Sequence, residues 1–196
     1  IFVNLDSSPT TTIFPVPSYT SVANITAADL FTPALIDRAV SRAKKSLPKL
    51  YPVKLEGREL YVVLVHTDVG YDIKTGGNTG TWQAVQQYAG VRDLLNNRIF
   101  SGSLGYWGGA VIHEHEKVPI SNNWGAGNNI NGASNMFLAR QAGVLAFGAR
   151  PEAWEKEFDY GAKRGFCIGT IWGFKKAVFN GVDHGYFAIR VARTST

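Results

Sequence analysis

An α+β fold is predicted by three features of the 196-residue sequence: one amphipathic helical stretch, several β-prone runs, and an abundance of glycine and aromatic side chains. The helical stretch places Leu30, Ala34, Leu35, Ala39, Ala43 and Leu47 on one face, with Asp37, Arg38, Ser41, Arg42, Lys44 and Lys45 mostly elsewhere. The β-prone runs are clearest at residues 60–65, 166–174 and 186–191. Twenty-one glycines, with eleven Phe, eight Tyr and five Trp, suit a β-rich chain with many turns and broad contact surfaces.

Residues 1–25 hold three of the eight prolines and many Ser and Thr, which predicts an extended segment leading into the fold. The helix starts at one of two signals. Thr26 with Asp29 fits a capping box, and Thr32 fits an N-cap with Pro33 in the first helical position. Pro48 and Pro52 end it, and the basic residues near its C-terminus complement the helix dipole. Leu60 to Val65 is apolar on both faces, as a buried central strand should be. Gly76 to Gly80 reads as a loop, and Thr81 as the cap of a short helix through Trp82, Val85, Tyr88 and Ala89. A strand is expected from Ala110 to Val118, then a polar loop at 122–129. Met136 to Phe147 mixes the two periodicities and is assigned to strand, and Gly148 to Trp154 is taken as a linker.

The segment from Phe158 to Val191 is expected to organise the fold. Phe166, Ile168, Trp172 and Phe174 alternate onto one strand face, opposite the thinner row of Cys167, Gly169, Ile171 and Gly173. Its glycines also fit a small-xxx-small membrane helix, but Arg164 and Lys175 bracket only about half of the ~20 residues that a spanning helix requires. With the Asn180-Gly181 turn and the run 186–191, a terminal β-hairpin is predicted that closes a sheet, with Trp172 in the core. Cys167, the single cysteine, cannot pair within the chain and is expected to pack as a small hydrophobe.

A net charge of +5 favours polyanions weakly and lacks the clustering of a dedicated nucleic-acid binder. The sequence shows no secretory or transit pattern, and its start at Ile1 without methionine suggests part of a longer product.

Chemistry-bearing constellations are few. On a strand, His113 and His115 of the His113-Glu114-His115-Glu116 run would share a face, and His66 or Asp68 could supply a third metal ligand. Surface hydrogen bonds and ion pairs are the simpler role for these side chains. Phosphate-loop, nucleophile-elbow and zinc-cysteine patterns do not occur, and Gly125-Ala126-Gly127 lacks the third glycine of a dinucleotide fingerprint. Glu155, Glu157 and Asp159 read as surface acids. No catalytic, cofactor-binding or metal-binding residue is therefore assigned, and no cofactor is expected. The competing classes are a histidine-dependent metalloenzyme and a ligand-binding β-rich module.

Several pieces in series carry a resemblance: residues 57–66, 99–105 and 111–115, then Phe158-Asp159-Tyr160-Gly161, Gly173-Phe174-Lys175-Lys176 and Phe179-Asn180-Gly181. Over roughly 54–191 their order and spacing resemble the major capsid proteins of N4-like tailed bacteriophages. Thr67 stands where that family usually has proline.

The resemblance implies the tailed-phage and herpesvirus (Hong Kong 97-type) major capsid fold, with peripheral and axial domains, an N-terminal arm and a long extended hairpin loop. The chain would be its C-terminal part: 1–25 an extended segment, 26–157 mainly axial-domain-like, and 158–196 a terminal hairpin returning to the peripheral-domain sheet. It further implies a structural protein, not an enzyme, that self-assembles in hexamers and pentamers into an icosahedral shell around double-stranded DNA. The expected partners are other copies, with decoration, portal or scaffolding proteins and nonspecific contact with packaged DNA, and no membrane. The expected location is the virion, after assembly in the host cytoplasm.

Overall fold

The computed structural model describes residues 9–55, 57–75 and 103–194. The loop and short helix expected over 76–89 lie outside them. Strand β1 is Thr12–Ile13, helix α1 is Pro33–Lys45, β2 is Val53–Leu55, β3 is Arg58–Val65 and α2 is Thr67–Thr75. Then follow β4 (Ser103–Trp107), β5 (Ala110–Glu114), β6 (Ile120–Trp124), β7 (Ile130–Leu138), β8 (Gly143–Phe158), β9 (Lys163–Lys176), β10 (Val178–Phe179), β11 (Val182–Asp183) and β12 (Tyr186–Ala192).

Among the described residues, eight strands form a mixed sheet in the order β1-β12-β7-β3-β5-β4, with β2 paired to β3 and β6 paired to β7. β3 lies between a parallel neighbour, β5, and an antiparallel one, β7. That placement explains its continuous apolar sequence, since both faces are covered: Leu60, Tyr61, Val63 and Val65 are buried. The parallel pairing needs a crossover, and the chain leaves β3 through α2 before returning along β4 and β5.

Helix α1 begins at the second of its two sequence signals. Thr32 is the N-cap, in extended conformation and without a side-chain cap bond, and Pro33 is the first helical residue, where a missing N–H is harmless. Thr26 and Asp29 instead close a preceding turn, the Thr26 N–H and hydroxyl both donating to Asp29 Oδ2 at 2.8 Å. The apolar stripe Leu35, Ile36, Ala39, Val40 and Ala43 packs in one core with Tyr61, Val63, Val65, Ile112, Phe137, Phe187 and Ile189, and Val69 and Ile73 of α2 join them. A second buried group contains Met136, Tyr186 and Ala188, with Leu64, Leu138 and Phe174 against it.

The C-terminal strand β12 is inserted between β1 and β7. Beyond it, Arg193 pairs with Asp68 and donates to Asn122 Oδ1 at 2.9 Å, while the Thr194 N–H donates to Asp72 Oδ2 at 2.8 Å. These bonds pin the end of β12 to the start of α2.

Three expectations for the C-terminal region are corrected. The run 166–174 lies in β9 but pairs with β8, not with the strand 186–191, which joins the main sheet instead. Gly148 to Trp154 is not a linker, because it forms the middle of β8. The stretch 136–147 is divided: β7 ends at Leu138 and β8 begins at Gly143.

Two outcomes test this core. Phe137 is fully buried, its ring centroid 4.9 Å from Tyr61 and 6.0 Å from Phe187. Phe137→Ala should lower the unfolding free energy by about 3–5 kcal/mol in chemical denaturation, as large aromatic truncations in cores do. The Tyr61 hydroxyl donates to Leu50 O at 3.1 Å, and burial, with the nearby Glu59 charge, raises its phenol above the ordinary 10.0. The unfolded chain then loses this proton first, so the contribution is complete below pH 10 and is lost as pH rises through the raised folded value. In Tyr61→Phe this part of the alkaline loss should disappear from pH-dependent unfolding curves, while the lost hydrogen bond costs about 1 kcal/mol at neutral pH.

Candidate interaction surface

Among the described residues, strands β8 and β9, 16 and 14 residues long, pair only with each other and form an exposed antiparallel ribbon. At about 3.3 Å per residue its long strand extends about 50 Å. Directly opposed residues share a face, so the register assigns every side chain. Leu145 faces Phe174 and Phe147 faces Trp172; beyond two register shifts Ala153 faces Ile168, Glu155 faces Phe166 and Glu157 faces Arg164. One face is thus an apolar strip that ends in charge near the tip. The reverse face carries Val144, Ile171, Trp154, Cys167 and Phe158 among small and charged residues.

The alternation of Phe166, Ile168, Trp172 and Phe174 is as expected, but its environment is not. Trp172 is 53% exposed, and Phe166, Ile168 and Ile171 are also exposed, so Trp172 is not a core residue. Cys167 is exposed as well, opposite Trp154. The reason is geometric: a pair of strands with no third strand and no layer above it cannot bury either face. Only Phe174, at the root, reaches the second core group. On the reverse face two aromatic rings lie over glycines. A Cβ on Gly165 would lie 2.9 Å from the Phe158 ring, and one on Gly169 would lie 2.9 Å from Trp154, so each aromatic lies across a cross-strand glycine that no other residue could replace without displacing it.

The root is fixed by polar bonds as well. Lys176 Nζ lies 2.9 Å from Asp183 Oδ1, and both side chains are almost completely buried. Asp183 Oδ2 accepts the Thr10 N–H at 2.8 Å, and the Asp183 N–H donates to Thr10 Oγ1 at the same distance. The Ala177 N–H donates to Ala142 O, and the His184 N–H to Ala177 O. At the other end, Asp159, Tyr160 and Gly161 have φ of 54, 53 and 85°, the left-handed region that costs non-glycine residues energy. Lys163 pairs with Asp159 at 3.8 Å and Arg164 with Glu157 at 3.2 Å, both on the surface.

The metal-ligand candidates have other partners. The His66 Nδ1 accepts the Asp68 N–H at 3.2 Å, while the Asp68 carboxylate pairs with Arg193. His113 lies in β5 opposite Leu64 and Ser103, and His115 lies just past its end, Nδ1 accepting the Lys117 N–H at 3.1 Å. Glu114 pairs with Lys74 at 3.3 Å. Among the described residues no three His, Cys, Asp or Glu side chains converge to hold a metal. On α1, Arg38 is committed to the N-terminal segment, donating to Phe14 O and Pro15 O at 2.7 Å each, whereas Arg42, Lys44 and Lys45 are exposed. No helix among the described residues is long and apolar enough to cross a membrane. Sequence reasoning did not single out Leu145, Phe147, Trp154 and Tyr160 for contact; apolar residues on both sides of a Gly-rich tip would have been the signal.

A family model described as phage capsid protein matches residues 11–193. The major capsid protein of Pseudomonas phage KPP25 is 36% identical over 109 residues, covering 49% of this chain and 29% of that protein. The solved capsid of Ralstonia phage GP4 superposes with a TM-score of 0.75 at 29% identity, covering 94% of this chain and 52% of that one. The capsid of cyanophage Pam1 gives 0.73 at 26% identity, covering 94% and 55%. The chain therefore spans about half, or less, of the length of these relatives. The likeness bears out the α+β tailed-phage capsid fold.

Since the ribbon buries little within the chain, Trp172→Ala should change the unfolding free energy by only about 0.5 kcal/mol, the worth of one cross-strand pair. Denaturant titration checks this, and a loss of several kcal/mol would place Trp172 in a core after all.

Proposed function

The chain belongs to the phage capsid protein family, and from that membership we propose that it is the shell-building part of a major capsid protein, a structural subunit of the icosahedral container for a phage double-stranded DNA genome. The observation that carries the proposal is the ribbon. A soluble monomer rarely leaves a long row of Leu, Phe, Ile and Trp in water, and such a surface marks a contact awaiting its cover. In this reading the sheet with its two helices is axial-domain-like, with strands β1 and β12 contributed from outside residues 26–157, and the ribbon, whose two strands fall on either side of the 157/158 division, reaches toward the peripheral part.

The partners are other copies in hexamers and pentamers, with decoration, portal or scaffolding proteins as further neighbours. Many repeated interfaces of on the order of 1,000 Å² or more would give a cooperative shell from individually modest contacts. Contact with packaged DNA is nonspecific and falls on exposed cations such as Arg42, Lys44 and Lys45. The protein is not an enzyme in this reading, and it acts in the virion after assembly in the host cytoplasm.

The test is to express the full-length protein and image its products by electron microscopy. Closed particles are expected, with the fold of residues 9–194 repeated throughout the shell density. Copies confined to a tail or to surface ornaments would overturn the proposal.

A further inference from the structure

The fold gathers uncompensated positive charge at one place, from three segments of the chain. Arg42, Lys44 and Lys45 occupy the last turn of α1, and no acidic residue occurs between 38 and 55. After Pro48 the chain doubles back on the helix, the Leu50 N–H donating to Ala43 O at 3.2 Å, which sets Lys49 beside that last turn. Lys49 Nζ lies over the Tyr51 ring, 5.7 Å from its centroid. The carbonyl of Tyr51 accepts the Arg140 N–H at 2.8 Å, so the turn between β7 and β8 brings a fifth cation to the same face.

These five cations equal the net charge of +5 of the whole chain, so the remainder balances. All five side chains are exposed, and among the described residues none of them forms an ion pair. Elsewhere surface cations meet carboxylates, as Lys54 meets Glu59 and Lys74 meets Glu114. Arg42 and Lys45 also open onto a cavity of about 280 Å³ with Thr11, Ser46 and Pro48; Asp183 lines it too, but its charge is met by Lys176. The dipole of α1 accounts for the three cations of its last turn, whereas Lys49 and Arg140 are not part of the helix. Five like charges in one place repel one another, a cost that a polyanion removes.

We propose that the face carrying Arg42, Lys44, Lys45, Lys49 and Arg140 is turned to the lumen of the shell and holds phosphates of the packaged duplex. The inference rests on the shell reading and adds an orientation to it: the end of α1 and the β7–β8 turn point inward. Lysine and arginine side chains on an open surface contact phosphate oxygens and carry no base preference, which suits a container that must accept any sequence. Repeated in every copy, the patch lines the lumen with positive charge at regular intervals. Each contact is weak and sensitive to salt, because binding releases the counterions of the DNA.

The experiment uses DNA-filled particles of the full-length protein. A bulky, impermeant amine-acylating reagent is applied to intact and to disrupted particles, and formaldehyde to intact ones, with peptide mass spectrometry as the readout. Lys44, Lys45 and Lys49 should be acylated only after disruption and should carry nucleotide adducts after formaldehyde. Acylation in intact particles would put this face outside and overturn the proposal while leaving the shell reading intact. Protection without nucleotide adducts would overturn it too, since a protein would then be the cover; failure of the parent protein to form particles would remove the shell reading itself. Independently, Lys44→Gln, Lys45→Gln and Lys49→Gln together alter only exposed side chains, so shells should still form. For unassembled full-length subunits, the log–log slope of duplex affinity against salt should become shallower by about 2.5–3, at about 0.9 per phosphate contact, and equally for two unrelated sequences. An unchanged slope, or a change confined to one sequence, would overturn the phosphate contact.

Discussion

An antiparallel pair of strands has two faces and no interior, and this constraint governs strands β8 and β9. The main sheet escapes it, since α1 and α2 pack their apolar stripes with its central strands. The ribbon of Gly143–Phe158 and Lys163–Lys176 has neither a third strand nor a helix upon it among the described residues. Its Leu, Ile, Phe and Trp side chains therefore act outward. In water such a ribbon is marginal by itself, so its order draws on the root and on whatever element covers it.

The root shows how this order is transmitted. Lys176 and Asp183 would each be expensive to bury alone, and their ion pair is tolerable because the second carboxylate oxygen accepts the Thr10 N–H while the hydroxyl of Thr10 accepts the Asp183 N–H. The same carboxylate thus joins the strand leaving the ribbon to the chain approaching β1. Next along, Arg38 on α1 holds the carbonyls of Phe14 and Pro15. Helix, N-terminal segment and ribbon form one connected set, and a movement of the ribbon would be felt at the edge of the sheet.

The sheet core was largely legible from local pattern. Leu60 to Val65 is apolar on both faces because both faces are covered, and the stripe Leu35, Ala39 and Ala43 pointed to its burial. The helix start needed the structure to choose between Thr26 and Thr32, since both offer sound capping chemistry and Thr26 closes a separate turn with Asp29. The partner of residues 166–174 was not legible. Gly148, with register shifts beside it, and Pro151 interrupt the alternation of β8, so a long strand reads as a linker. The Asn180-Gly181 turn is real, but it joins the short strands Val178–Phe179 and Val182–Asp183 and does not join 166–174 to 186–191.

Trp172 shows the deeper reason. Period-two alternation records that one face of a strand meets apolar atoms, and it does not record whose atoms they are. Within a monomer the inference from alternation to core is sound; in a subunit made for repetition, the same pattern serves for a surface completed by another element. The charges supply the missing distinction. In β12 the buried run Tyr186 to Ile189 continues without a charge, whereas in β8 and β9 the apolar positions give way, along the same face, to Glu155, Glu157 and Arg164 near the tip. A strand whose apolar face turns charged partway along is leaving its own core, and the point at which it does so marks where the contact made by other atoms begins.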